Sequence, residues 1–146
     1  MKVYIVFSGI VTVLLMAMCF QGDMRIYEHE QWLLKELTEE VACGAALYVE
    51  QEAYAEGNIV FDYEKGKSYA KDYLKQAKRN SYILNNGIAT IELEFEDDKV
   101  GYSKDNTYKM PTVTAKFRAK HNDIFRLPFL SVKQTFRESR YELKEV

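Results

Sequence analysis

The first feature of the chain is a long run of apolar residues at its N-terminus. From Val3 to Phe20 it reads VYIVFSGIVTVLLMAMCF, 18 residues without a charged side chain. In a helix such a run spans about 27 Å, close to the thickness of about 30 Å of the hydrocarbon core of a bilayer. The run therefore predicts a transmembrane anchor within residues 1–22. Its lipid-facing side chains are expected to include Val3, Ile5, Phe7, Ile10, Val13, Leu14, Leu15 and Phe20.

Three other interpretations of this run are open from the sequence. A cleaved signal peptide fits the short basic start, but no well-placed small-x-small cleavage site precedes Gln21. A lipoprotein would carry its lipid on Cys19, although Met18 occupies a position that normally takes a small residue. A core helix of the folded domain is the third. We favour a retained anchor, because a small domain does not need such a helix at its start.

Charges on the two sides of the anchor predict its orientation. Lys2 and the terminal amine precede the apolar run, whereas three acidic residues and one basic residue follow within residues 23–30. Basic flanks favour the cytoplasmic side of a membrane. We therefore expect a single-pass protein of the cell membrane, with its N-terminus in the cytoplasm and residues 23–146 forming an extracytoplasmic α+β domain.

Helical periodicity continues beyond the anchor. Apolar residues three or four positions apart form one stripe, which predicts an amphipathic stalk that runs on to about Ala55. Gly57-Asn58 then supplies a helix stop signal. Small residues at 42–46 allow a sheet, a helix or another subunit to approach closely. The packing or assembly stripe consists of Leu33, Leu37, Val41, Gly44, Ala45 and Tyr48.

A second, shorter helix is predicted from Tyr63 to about Lys78. Asp62 precedes it and suits an N-cap, because its carboxylate accepts a hydrogen bond from an unpaired backbone N–H group. Lysines on the outer face make this helix basic. Asn85-Asn86-Gly87 marks the turn that follows.

The second half of the chain alternates with the period of a β-strand. Residues 88–95 and 112–119 are the clearest strands, residues 96–99 form a polar hairpin tip, and residues 100–102 form a short return. Residues 132–143 alternate weakly as a last strand. These segments predict a small antiparallel sheet of about four strands. The side chains that share one face are Ile91, Leu93 and Phe95 in the first strand and Val113, Ala115, Phe117 and Ala119 in the second.

The composition of the chain excludes some classes of function. A net charge of −2 on 146 residues argues against a general nucleic-acid binder, which needs a strongly basic surface. The charge is unevenly divided: residues 23–64 hold 11 acidic and 2 basic side chains, whereas residues 104–146 hold 10 basic and 5 acidic. This division favours orientation of acidic helix against basic sheet, within one molecule or between subunits.

Motifs for catalysis or metal binding are missing from the sequence. His29 and His121 lie far apart without zinc-ligand spacing, and no nucleophile elbow, P-loop or dinucleotide fingerprint occurs. Cys19 and Cys43 would lie about 36 Å apart along one helix, too far for a disulfide. We therefore expect no enzymatic activity, no cofactor, no metal and no small-molecule substrate.

Several segments of the first 80 residues resemble one family of envelope proteins. A polar exit, Gln21-Gly22-Asp23-Met24-Arg25, follows the apolar segment. A small-residue helix, VACGAAL over 41–47, comes next, and the run YAEGNIVFD occupies residues 54–62. With Ala70 and Tyr73-Leu74 in the next helix, this arrangement resembles the TadE/TadG-like minor pseudopilins of the Tad (Flp) pilus-assembly system.

The resemblance implies a pilin-like fold and a structural role. The chain would be a minor component or assembly factor of a Tad-like pilus or secretion filament, and its partners would be membrane lipid and other pilin-like or envelope assembly proteins. It would be a divergent member, because Gly9 lies inside the apolar run and no acidic residue precedes Asp23. The alternative is a membrane-tethered module that binds a ligand or wall polymer.

Overall fold

The computed structural model describes residues 1–127 and 129–143. It has an α+β fold with a long N-terminal helix and a three-stranded antiparallel sheet, in agreement with the predicted class. The elements in chain order are α1 (Lys2–Ala46), α2 (Gln51–Ala55), α3 (Tyr63–Ala77), α4 (Tyr82–Asn85), β1 (Ile88–Glu96), β2 (Thr112–Lys120) and β3 (Gln134–Glu142).

Helix α1 dominates the shape of the molecule. Its 45 residues extend over about 67 Å at about 1.5 Å per residue, and the helix passes through Gly22 without interruption. All side chains of residues 1–22 are exposed, whereas residues 23–46 bury one face against the rest of the chain. Within the described residues, this is the one helix long and apolar enough to cross a membrane.

The remaining elements form a compact head on the second half of α1. The sheet has the strand order β1-β2-β3, with Ile91 opposite Phe117 and Phe117 opposite Arg137. Helix α1 packs across β2 and β3, and α3 packs against α1 and β1. The central strand buries every side chain that the alternation predicted to face inward, namely Val113, Ala115, Phe117 and Ala119.

The core of the head follows α1 in three successive clusters. The cluster nearest the anchor is built on Leu34 and Leu37, the middle one on Val41 and Ala42, and the last on Ala45 and Ala46. The side chains packed on them are, in the same order, Ile83, Leu84, Phe117, Ala119 and Ile124; Ala70 and Ala115; and Phe61 and Val113. The sheet therefore lies along the helix, with one end near the anchor and the other far from it.

The second helix forms as predicted. It spans Tyr63–Ala77, and the Asp62 carboxylate accepts a hydrogen bond from the Lys65 backbone N–H at 3.0 Å. An ion pair of 2.8 Å between the same two side chains reinforces this cap. The pKa of Asp62 lies below its usual value because of these contacts with Lys65.

The prediction that α1 continues to about Ala55 is wrong. The helix ends at Ala46, because the backbone of the next residues bonds to a distant segment. Tyr48 O accepts from Asp62 N at 2.8 Å, and Glu50 N donates to Val60 O at 2.8 Å. These bonds draw the chain into an extended crossing, and only the separate turn α2 follows.

The sheet has three strands rather than about four. The predicted return at residues 100–102 makes a single isolated bridge between Asp97 and Gly101. The Asp97 carboxylate accepts from the backbone N–H groups of Lys99 and Val100, which closes a tight turn in place of a hairpin. Gly101 has φ of +94°, a conformation that favours glycine and directs the chain away from the sheet.

Candidate functional site

The exposed half of α1 is the first part of the candidate site. Apolar side chains project from it in all directions, and the structure leaves each predicted anchor residue open to its surroundings. A helix that is apolar on every side is normally buried in protein or in lipid. The exposed anchor residues are Val3, Ile5, Phe7, Ile10, Val13, Leu14, Leu15 and Phe20.

The predicted packing stripe is largely occupied by the head of the same chain. Leu37, Val41, Gly44 and Ala45 are buried, and Leu33 is half-buried at the edge of the interface. A Cβ atom on Gly44 would collide with the Tyr69 ring, so a glycine is required for the contact between α1 and α3. Tyr48, the last member of the predicted stripe, lies beyond the end of the helix and is 36% exposed.

Two buried acidic residues near the anchor are the features that sequence reasoning missed. Asp23 and Glu30 are 1% and 3% exposed. Extending the apolar stripe backwards from Leu37 and Leu34 in steps of three or four leads to Glu30, Tyr27 and Asp23. Helical periodicity therefore contained the signal, but charged side chains are normally assigned to the solvated face.

Glu30 fixes the short helix α4 to α1. Its carboxylate accepts hydrogen bonds from the Ser81 hydroxyl at 2.5 Å, from Tyr82 N at 2.9 Å and from Ile83 N at 3.2 Å. The Ser81 hydroxyl oxygen in turn accepts from Leu84 N at 3.1 Å and caps α4. The first N–H groups of a helix have no acceptor within the helix. Two such groups of α4, together with the Ser81 hydroxyl, satisfy the buried carboxylate of Glu30.

Asp23 attaches a loop of the head to α1 where the apolar run ends. Its carboxylate accepts from Arg126 N at 2.9 Å and lies 3.4 Å from the Arg126 guanidinium Nε. One turn farther along the helix, the rings of Tyr27 and Phe125 are 5.7 Å apart. We call residues 121–133 the junction loop, because it covers α1 next to the anchor.

The neck of the junction loop is held by its own hydrogen bonds. Asp123 Oδ1 accepts from Phe125 N at 3.2 Å and from Val132 N at 3.1 Å. A hydrogen bond from the Ser131 hydroxyl, together with these backbone bonds, lowers the pKa of Asp123 below its usual value. These bonds hold the two sides of the loop together at its neck. We call Arg126, Leu127, Phe129 and Leu130 the tip of the junction loop.

Another buried carboxylate, that of Asp97, lies at the end of the head farthest from the anchor. Asp97 is fully buried and accepts from the Tyr63 hydroxyl at 2.6 Å, Phe61 N at 3.1 Å, Lys99 N at 3.1 Å and Val100 N at 2.8 Å. Burial opposes ionisation, but the donors outweigh it, and the pKa of Asp97 falls below its usual value. Burial and the bond to this carboxylate raise the pKa of Tyr63.

The described residues offer little that resembles a catalytic or metal centre. Among residues 1–127 and 129–143, no group of three or more His, Cys, Asp or Glu side chains is placed to hold a metal ion. His29 is exposed, and His121 is held by the Asn122 carbonyl at 2.8 Å and the Thr135 hydroxyl at 3.1 Å. Both cysteines are free.

An open groove lies between α1 and α3 near the anchor-side cluster. It has a volume of about 450 Å³. Polar side chains from both helices and from the following turn line its walls, including Glu36, Gln76 and Arg79. Leu33 and Tyr73 supply apolar surface. The groove thus combines apolar and polar surface, as sites that bind small ligands do.

No protein-family model, curated protein or solved structure matches the chain. The resemblance to TadE/TadG-like proteins accordingly has the support of the quoted segments alone.

Proposed function

We propose that the protein is a structural or assembly component of a Tad-like pilus or secretion filament, similar to a minor pseudopilin, and that it has no enzymatic activity. It is a single-pass protein of the cell membrane, with residues 1–22 in lipid, the N-terminus in the cytoplasm and the head in the cell envelope outside. The observation that carries this proposal is the division of α1 into an exposed apolar half and a half that forms the spine of the head.

The energetics of the exposed half favour lipid. Leaving one large apolar side chain in water in place of an apolar environment costs about 1.5–3 kcal/mol. The eight anchor residues named above would together cost about 12–24 kcal/mol by the same figure. This sum is as large as the total stability of a typical domain, about 5–15 kcal/mol, so a covering of lipid or of partner helices strongly favours the anchor.

Rigid coupling between anchor and head supports a structural role. The same helix enters the head, and the buried acids Asp23 and Glu30 tie it to the junction loop and to α4. A flexible linker of the kind that tethers independent binding modules is absent between residues 2 and 46 of α1. Movement of the anchor in the membrane is therefore transmitted directly to the head.

The proposed mechanism is mechanical. The anchor holds the subunit in the membrane until contacts with the anchors of partner subunits replace lipid. Gly9 has open space around its Cβ position, and Ser8 and Thr12 lie beside it on the helix. Small residues of this kind permit close approach between helices in a bilayer.

Photo-cross-linking in native membranes tests the proposal. A benzophenone amino acid replaces Ile10 in the anchor or, as a matched control, Trp32 on the exposed face of the stalk. If the anchors of partner subunits contact residue 10, we expect cross-links from this position to other filament or assembly subunits. Filaments sheared from the cell surface should also contain the protein, or should disappear when its gene is deleted.

Cross-links from position 10 to lipid alone, together with unaltered filaments in the deletion strain, would contradict the filament role. The anchor itself is tested separately by whether the protein stays in membranes after an alkaline wash. A protein that washes off contradicts the membrane location as well.

The groove between α1 and α3 favours one second candidate, a membrane-tethered module that binds a ligand or wall polymer. Arg79 and Glu36 would contact polar groups of the ligand, and Tyr73 would pack against its apolar surface. Titration of the detergent-solubilised protein with soluble wall fragments tests this function. Binding that is lost in Arg79→Ala and retained in the exposed control Lys71→Ala supports it, and the absence of saturable binding contradicts it.

A further inference from the structure

The tip of the junction loop lies at the level where the anchor would leave the bilayer. Asp23, which receives the Arg126 N–H, follows Phe20 by three residues, a distance of about 4.5 Å along the helix. The contact between Tyr27 and Phe125 lies one turn farther from the anchor. The loop thus descends along α1 from the sheet towards the apolar run.

The tip carries apolar side chains that the head leaves wholly or partly exposed. Phe129 is 71% exposed, and Leu127 and Leu130 are half-buried. Leu130 N donates to Leu127 O at 3.1 Å, which closes a turn at this point. An exposed aromatic ring close to a membrane anchor is typical of the interfacial region of a bilayer, where such rings are enriched.

Exposed apolar surface continues onto the neighbouring end of the sheet. Ile88 pairs with Lys120, and Lys120 pairs with Gln134, so the ends of all three strands meet beside the junction loop. Ile88 is 77% exposed, and Phe136, the second residue after Gln134, is 52% exposed. The tip is therefore part of a larger surface at the anchor end of the head.

This surface is basic. Helix α3 also ends here, since Leu74 and Ala77 pack on the core cluster nearest the anchor. The segments 75–90 and 117–136 together contain seven basic residues and one acidic residue, a net charge of +6. The basic residues are Lys75, Lys78, Arg79, Arg118, Lys120, Arg126 and Lys133.

The opposite end of the head has the reverse charge. Residues 47–64 and 92–114 together contain eleven acidic and three basic residues, a net charge of −8. The two acids closest to the anchor on the buried face, Asp23 and Glu30, are enclosed by the head and add little negative potential outside it. Although α1 itself exposes Glu28 and Glu36 at the anchor end, the charge of the other segments is thus polarised along α1, with positive charge towards the membrane.

We propose that the head docks onto an anionic bilayer surface through this end, with Phe129 inserted at the interface and Arg126, Lys133 and Lys120 bound to lipid headgroups. The inference rests on the proposed membrane anchor and adds to it a fixed orientation of the head. Continuity with the anchor and complementary charge identify the lipid surface as the occupant. Basic side chains near an anionic membrane are attracted over about one Debye length.

Quenching by brominated lipids tests this docking. The variant Phe129→Trp, combined with Trp32→Phe, has a single indole at the tip, whereas the unaltered protein has its single indole at Trp32, about 18 Å along α1 from Phe20. Both full chains are reconstituted into vesicles with about one third phosphatidylglycerol and bromine near the headgroup end of the acyl chains. We expect quenching at position 129 to be at least twofold stronger than at Trp32.

Charge reversal at the surface sharpens the test. Lys120→Glu with Lys133→Glu should lower quenching at position 129 to the level seen in neutral phosphatidylcholine vesicles, because both exposed charges are reversed while the ion pair of Arg126 with Asp23 is retained. The control Lys67→Glu with Lys104→Glu changes the same number of charges on exposed positions at the far end. It should leave quenching unchanged.

The outcomes separate this inference from the proposed function. If the protein floats with vesicles but quenching at position 129 is no stronger than at Trp32, docking is overturned and the anchor stands. A cross-link between the tips of two copies has the same consequence. Failure to float with vesicles overturns both. Should Phe129→Trp misfold, amide hydrogen exchange of the unaltered chain decides: segment 124–133 should exchange several-fold more slowly in anionic than in neutral vesicles, and equal rates overturn docking.

Discussion

The two halves of α1 share one continuous backbone but have opposite surroundings. Residues 2–22 expose apolar side chains on every side, whereas residues 23–46 bury one face that includes Asp23 and Glu30. The first buried residue of α1 is Asp23, whose carboxylate accepts a hydrogen bond from Arg126 N in the junction loop. The boundary between the two halves is therefore set by hydrogen bonding of polar groups as well as by hydropathy, since a carboxylate requires donors that lipid lacks.

The largest expected effect comes from the same substitution in the two halves. Leu34→Asp places an unpaired carboxylate in a fully buried position and should destabilise the head by more than about 4 kcal/mol. Leu14→Asp should leave the stability of the head unchanged, because Leu14 is exposed, and should weaken retention in membranes. Urea unfolding in detergent micelles, followed by near-UV circular dichroism, measures the first effect. Equal losses in the two variants would contradict the division of the helix.

Glu30 tests the polar side of the boundary. Glu30→Ala leaves the Ser81 hydroxyl and two backbone N–H groups of α4 without their acceptor and should cost about 3 kcal/mol. The neighbouring Glu28→Ala lies on the exposed face and should stay within about 0.5 kcal/mol of the unaltered protein. Urea midpoints for the two variants provide the measurement, and similar midpoints would refute the role of Glu30.

Asp97 gives the far end of the head a pH-dependent contribution to stability. Its folded pKa lies below the ordinary value of 3.8, so its ionised form contributes stability that is present above that value and is lost as the pH falls through the folded pKa. Asp97→Asn should cost about 2 kcal/mol at neutral pH and flatten the loss of stability below about pH 4. The exposed control Asp105→Asn should keep the slope of the unaltered protein.

The smallest effects are expected at two glycines of α1. Gly44→Ala forces a Cβ atom against the Tyr69 ring and should destabilise the head by about 1–2 kcal/mol. Gly22→Ala meets open space and should stabilise the helix by up to about 1 kcal/mol, since alanine loses less backbone entropy. Amide hydrogen exchange along α1 distinguishes them. Effects of the same sign would show that the two halves are packed alike.

The sequence was sufficient to predict those helices and strands whose structure depends on residues close together in the chain. The Asp62 cap fixes the start of α3, and strict alternation fixes β1 and the inward face of β2. The weak alternation at 132–143 indicated a last strand, and β3 forms there but begins only at Gln134. Pairing with β2 supplies the order that the sequence of β3 lacks.

Distant contacts determined the rest. The end of α1 depends on bonds from residues 48 and 50 to residues 60 and 62, which helical periodicity does not contain. The burial of Glu30 depends on donors 51 to 53 residues away in the chain. Helical spacing places Asp23 and Glu30 on the apolar stripe, but charged residues on a helix are ordinarily solvated, and the donors that permit their burial come from distant segments.

The proposed function requires that residues 3–20 remain attached to the protein and lie in lipid. Intact mass and N-terminal sequencing of the protein from alkali-washed native membranes test it most directly. We expect a chain that begins at Met1, has a mass of 17.1 kDa and sediments with the membranes. A protein that begins near Gln21, or an intact chain in the soluble fraction, would contradict it.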